Sequence, residues 1–199
     1  MQILLIRHGE SKADILKVHE GRADFSLTKK GHQQVKKLAE VVKTKYSANK
    51  IYSSTLIRAK ETAEVIADNL NKSIIFEDDL MEQNNGILAG MPLSEVNNVK
   101  KPCYLHESIQ DGESAIDFRL RIEKVFSKII VENEEERRVA IVTHGGVINC
   151  ILRAFYNMPV NQEYWFQTGD TGFHLLEIKE TEKNTHFLNN MSHLDSLKI

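Results

Sequence analysis

The sequence predicts an α/β fold: a three-layer sandwich with a mostly parallel central sheet, helices on both faces and a loop-rich cap. Three observations carry this expectation. Short apolar, β-branched runs alternate along the chain with segments whose apolar residues recur at helical spacing. Two of these runs, Ile3-Leu4-Leu5-Ile6 and Val139-Ala140-Ile141-Val142-Thr143, lead into matching exits, Arg7-His8-Gly9-Glu10 and His144-Gly145-Gly146. The chain has 199 residues, 41% of them hydrophobic, which suits one compact domain, 1–199, and it contains no internal repeat, low-complexity tract or linker.

The elements follow in order. The apolar run at 3–6 reads as a core strand, and residues 10 to 28 as a polar, irregular loop that covers the strand's end. Thr28 is placed to cap a helix from about 29 to 45, in which Val35, Leu38, Ala39 and Val42 form the inward stripe and a Lys-rich face is solvated. A short strand at 50–53 leads into a helix from about 55 to 71 with Ala59, Thr62, Ala63, Ile66 and Leu70 inward, and a strand follows at 73–76. Gly86, Gly90, Pro92 and Pro102 punctuate the segment 77–112, the expected substrate cap. Phe118, Ile122, Val125, Phe126 and Ile129 mark a helix from 114 to about 132, ended by the acidic turn Glu132-Asn133-Glu134-Glu135-Glu136. After the second histidine strand come a helix at about 146–157 and two closing strands, 173–178 and 185–188, expected to form an antiparallel edge. Disorder is expected in the last few residues.

Composition narrows the function. With 26 basic and 28 acidic side chains the net charge is −2, so no general field draws the chain to nucleic acid or to an anionic membrane. The first residues already read as a core strand, and no apolar run reaches the length of about 18 residues that spans a bilayer. The expectation is a cytoplasmic protein with no nucleic-acid or membrane partner; homo-oligomerisation stays open. Cys103 and Cys150 are too few for a disulfide framework and read as free thiols.

In open α/β sheets ligands bind in the crevice beyond the carboxyl ends of the strands, which is where both histidines fall. Either histidine alone reads as a half-buried, hydrogen-bonded structural residue. Two at strand ends, with Arg7 beside the first and Gly9 removing a side chain that would block close approach, need a common purpose. From residue 3 to about 150, six markers come in order: Arg7-His8-Gly9, Leu27-Thr28 with Gly31, Arg58-Ala59 with Glu61-Thr62, Glu82, Gly112-Glu113-Ser114, and His144-Gly145. In this set the sequence resembles the histidine phosphatase superfamily, also called the phosphoglycerate-mutase-like family.

The resemblance implies a chemistry that suits the residue types. Phosphoryl transfer spreads negative charge over equatorial oxygens, and the guanidinium forks of Arg7 and Arg58 grip such oxygens bidentately while staying charged. It makes His8 the nucleophile, attacking as neutral imidazole to form a phosphohistidine that water hydrolyses, with the arginine charges favouring the neutral form. It makes His144 a phosphate ligand, Gly145 a backbone N–H donor at a helix start, and Glu82 the general acid that protonates the departing alkoxide. No metal and no cofactor are required, and the expected partner is a small phosphorylated metabolite.

The sequence also departs from the family's commonest pattern. Asp14 stands where relatives often carry asparagine, and Glu20-Gly21 where a small or amide residue precedes glycine, so extra carboxylates sit among the expected substrate contacts Asp14, Glu20, Gly21 and Gly145. Asp14 is left with three roles: binding a substrate hydroxyl, pairing with an arginine, or being protonated. Glu10 is expected to orient its loop rather than transfer a proton. Arg119 and Arg121 read as solvent-facing partners of Glu123 or Asp117. The leading function is a metal-independent phosphatase of small phosphomonoesters. The alternatives are a cofactor-dependent phosphoglycerate mutase, against which the segment Asn84–Asp111 holds no arginine, and a non-catalytic phospho-ligand-binding module.

Overall fold

The structure, a computed structural model, describes residues 1–161 and 164–197. Strands β1 (Gln2–Arg7), β2 (Lys50–Ser54), β3 (Ile74–Glu77), β4 (Arg138–Thr143), β5 (Phe173–Ile178) and β6 (Lys183–Asn190) make one six-stranded sheet in the order β3-β2-β4-β1-β5-β6. The first four are mutually parallel; β5 runs antiparallel beside β1, and β6 antiparallel to β5.

Strand pleat divides the core in two, because successive side chains leave opposite faces. Ile3 and Leu5 of β1 with Val139 and Ile141 of β4 pack under helices α4 (Ala115–Val131) and α5 (Gly145–Phe155). Leu4 and Ile6 with Ala140 and Val142 pack under α2 (Lys29–Lys45) and α3 (Ile57–Leu70) on the other side. A strand buried on both faces has no polar alternation, which is why the runs read as continuous apolar stretches. Truncating one of these fully buried leucines to alanine costs about 2–5 kcal/mol.

The loop from residue 10 to 28 contains a helix the sequence reading leaves out, α1 (Lys12–Leu16). Five residues are too few for an apolar period; what holds them is a capping box in which Ser11 accepts from Ala13 N–H and Asp14 accepts from the Ser11 N–H at 2.8 Å. Between β3 and α4 the chain makes only 3-10 turns, Asp78–Leu80, Gly86–Leu88 and Val96–Asn98. This segment is tied to the 18–21 loop by His19 N–H to Met91 O and Gly90 N–H to His19 O, each 2.8 Å. A final 3-10 turn, Ser192–Leu197, reaches the end of the described residues; the disorder expected of the last residues falls on 198 and 199, outside them. Among the described residues no helix is long and apolar enough to cross a membrane, and Cys103 and Cys150 are unpaired.

Candidate active site

Sheet register brings the two histidines together. Arg7 pairs with Thr143 across β1 and β4, so the next residue on each strand, His8 and His144, leaves the sheet at the same level. Neighbouring strands lie about 4.8 Å apart, and the ring centroids are 5.1 Å apart. Both rings are buried, at 1% and 0% exposure. The Gly9 expectation holds in a specific form: a Cβ there would come within 2.9 Å of the Gly31 carbonyl, so glycine permits α2 to pack against the site loop.

The His8 tautomer is fixed by its neighbours. Nδ1 lies 2.9 Å from the Gly9 carbonyl, which can only accept, and Nε2 lies 3.2 Å from Arg58 Nε, which can only donate. The ring therefore carries its proton on Nδ1 and keeps a lone pair on Nε2. Burial chiefly, then the Arg58 and Arg7 charges, hold this imidazole well below its usual pKa of 6.5, so it is neutral at physiological pH.

Arg58 starts α3 and is fully buried; besides reaching His8 it donates to Gly21 O at 2.8 Å and Ala23 O at 3.0 Å. Arg7 donates to Thr168 O at 2.5 Å and pairs with Asp170 at 3.4 Å, while its Nε is buried without a partner. His144 Nε2 lies 2.8 Å from Ser54 Oγ, at the end of β2, and its Nδ1 is buried and unpartnered. Burial, followed by Arg58, keeps His144 neutral as well.

Glu82 reaches the site from the segment after β3. Its two carboxylate oxygens accept the N–H of Gly146 at 2.9 Å and of Gln83 at 2.8 Å, so it is anchored to the first turn of α5. A side chain at Gly146 would collide with this carboxylate, whereas the space beside Gly145 is open. The second glycine of the His-Gly-Gly exit thus makes room for Glu82, and the first leaves room for a ligand.

Arg7, His8, Asp14, Glu20, Gly21, Glu82 and Gly145 line one cavity of about 460 Å³; Arg58 and His144 are buried and adjoin the His8 ring. Glu20 accepts from the Ser11 hydroxyl and lies 3.6 Å from Arg58 Nε and 3.8 Å from His8 Nε2, so a carboxylate stands beside both groups. Asp14 caps α1 from the rim. Glu10 accepts from Thr28 Oγ1 at 2.7 Å and pairs with Lys30, orienting the start of α2.

One expectation is corrected. Arg119 does pair with Glu123, at 2.6 Å, but is 6% exposed, and the Arg121 side chain is largely covered, at 14% exposure. Arg121 clasps Glu113 at 2.6 and 3.1 Å and donates to the carbonyls of Asp79, Met81 and Glu82. Those carbonyls sit in irregular backbone with no ladder to satisfy them, so an arginine from α4 does it instead. Sequence reasoning also missed Ser54, Thr168, Asp170, His19, Arg153 and Trp165. Ser54 stood inside the Arg58 motif and was readable as a strand-end hydroxyl; the others belong to no local pattern.

The six-stranded sheet with helices on both faces makes this an α/β protein with two histidines and two arginines gathered at its strand ends. The model of the histidine phosphatase superfamily (branch 1) matches residues 3–191, and the chain belongs to that family. It is 31% identical over 150 residues to the uncharacterized phosphatase PhoE of Bacillus subtilis, covering 75% of each chain. It is 28% identical over 160 residues to phosphoglycerate mutase-like protein 4 of Arabidopsis thaliana, covering 75% of this chain and 69% of the relative. Among solved structures, the alpha-ribazole phosphatase of Shigella flexneri superposes with a TM-score of 0.86 at 22% identity, covering 96% and 97% of the two chains, and shares the fold.

Proposed function

We propose that the chain hydrolyses small phosphomonoesters in the cytosol, without a metal ion, through a phosphohistidine formed on His8 Nε2. The observation that carries this reading is the tautomer: an unprotonated, neutral Nε2 beside a buried arginine is a nucleophile next to an anion clamp. Arg7 and Arg58 hold the phosphoryl oxygens, and His144 Nδ1 and the Gly145 N–H donate to them as charge builds. Nε2 attacks phosphorus, the ester P–O bond breaks, and Glu82 gives its proton to the leaving oxygen. The Glu82 carboxylate then takes a proton from water, which attacks phosphorus, breaks the P–N bond and returns His8 neutral.

Phosphate release from p-nitrophenyl phosphate in excess chelator, between about pH 5 and 8, tests the reading, with His8→Ala as control. Turnover by the parent alone supports it; activity that the chelator abolishes or that His8→Ala retains refutes it. The name of the Arabidopsis relative favours a second reading, a phosphoglycerate mutase. Mutase turnover with bisphosphoglycerate present, exceeding phosphate release, would select that reading instead.

A further inference from the structure

The segment 168–172, just before β5, carries none of the six ordered markers, yet it holds the exit of β1. Four contacts tie the two together. Arg7 Nη1 donates to Thr168 O at 2.5 Å, Arg7 pairs with Asp170 at 3.4 Å, Arg7 N–H donates to Gly172 O at 3.0 Å, and Thr171 N–H donates to His8 O at 3.0 Å. Thr171 takes a φ of 55°, a left-handed conformation that β-branched residues avoid. Such a conformation persists only where the surroundings over-determine it.

Two histidines supply that constraint. His174 Nδ1 accepts the Asn189 N–H at 3.2 Å, so the ring proton sits on Nε2 and is donated to Thr168 Oγ1 at 3.0 Å. The Thr171 hydroxyl donates to Asp170 O at 2.6 Å, so its oxygen accepts from His193 Nε2 at 2.8 Å. Both histidines and both threonines are buried. Burial pulls the two imidazoles down to about 4, so each is a neutral donor of fixed tautomer at physiological pH. They come from separate elements, His174 from β5 and His193 from the 3-10 turn Ser192–Leu197, and Asn189 Oδ1 adds a bond from the Gly169 N–H at 3.0 Å.

Each histidine thus reaches the reacting centre through a threonine. His174 acts through Thr168, whose carbonyl takes the Arg7 guanidinium, and His193 through Thr171, whose N–H holds the His8 carbonyl. An arginine already fixed in one rotamer loses less freedom when it grips an anion. We propose that His174 and His193 are positioning residues for phosphoryl transfer, locking the segment that sets the Arg7 guanidinium and the His8 backbone. The inference rests on reading the cavity as a phosphomonoester site.

The test addresses the two nitrogens of His174 separately. The longer amide of His174→Gln can stand where Nε2 stands and keep the donor to Thr168, whereas His174→Asn can replace only Nδ1, keeping Asn189 and releasing Thr168. Both variants remove a buried ring, so a purely structural histidine predicts lower melting temperatures for both and no change in KM for either. The positioning role predicts that His174→Asn raises KM for p-nitrophenyl phosphate and the inhibition constant of inorganic phosphate about fivefold, the worth of one buried hydrogen bond. His174→Gln should keep both within about twofold, and His193→Asn and His193→Gln should repeat the contrast. Thr168→Val, which removes the accepting oxygen and leaves the ring in place, should match His174→Asn and carries the comparison if that variant does not fold. In an Arg7→Gln background, His174→Asn should change kcat/KM by less than about twofold; a full fivefold loss there overturns the route through Arg7. Unchanged KM and phosphate inhibition in His174→Asn and Thr168→Val, with hydrolysis intact, overturn the positioning role and leave the phosphatase reading standing. If unaltered protein neither hydrolyses p-nitrophenyl phosphate nor binds inorganic phosphate in calorimetry, the phosphatase reading falls, and this inference with it.

Discussion

Gly146→Ala separates proton transfer from phosphate binding. Its Cβ would occupy space now held by the Glu82 carboxylate, which must retreat and stretch its bond to the Gly146 N–H. Gly146 is helical with no positive φ, so alanine suits the backbone and should raise stability by up to about 1 kcal/mol. A general acid contributes about 10²–10⁴ in rate, and a misplacement of roughly 1 Å costs about 100-fold, or about 2.7 kcal/mol. Stability and activity should therefore move in opposite directions. The assay compares an alkyl phosphate, whose alkoxide needs a proton to leave, with p-nitrophenyl phosphate, whose phenolate does not. The expected result is about a 100-fold fall in kcat/KM for the alkyl ester and a fall of less than about threefold for the aryl ester. Equal losses on both would mean that the phosphate clamp, not Glu82, was disturbed, and would refute the assignment of the acid.

Four further outcomes follow from the same geometry. Glu20→Gln removes a carboxylate that stands beside Arg58 and should lower KM for p-nitrophenyl phosphate by about fivefold, on the order of 1 kcal/mol; an increase in KM would mean that Glu20 helps bind substrate. Ser54→Ala deprives His144 Nε2 of its partner and should reduce kcat about tenfold with little change in melting temperature, as measured by steady-state kinetics and calorimetry. His8, His144, His174 and His193 all have lowered pKa values, the last two near 4, with burial the leading cause in each. The unfolded chain thus takes up protons that the folded chain refuses below about pH 6.5, so stability is full above that pH and falls towards pH 4. Urea midpoints that stay flat between pH 6.5 and 4 would contradict those burials. Because His8 is already neutral, kcat/KM should show no histidine limb near pH 6.5.

The sheet and its helices were legible because burial on both faces leaves apolar runs and helical periods that need no tertiary knowledge. The motif order also placed Arg7, His8, Arg58 and His144 in one site, and the sheet register explains their meeting. What the sequence hid were contacts made by irregular backbone. Arg121 satisfying the carbonyls of Asp79, Met81 and Glu82, Thr168 and Asp170 positioning Arg7, and the one-turn helix α1 all depend on distant segments and leave no period in the chain. Asp14 illustrates the limit: the motif puts it among the substrate contacts, and the fold, which does set it in the cavity wall, adds a capping role at α1 that no motif shows.

The central claim is that His8 Nε2 forms the bond to phosphorus. Rapid mixing with labelled p-nitrophenyl phosphate, quenched in alkali to preserve phosphoramidates, and peptide mapping by mass spectrometry test it directly. The account predicts a transient phosphohistidine on His8, bonded through Nε2 and absent from His8→Ala. Label on Nδ1 or on His144, or steady turnover with no phosphorylated His8 at any time point, would contradict it.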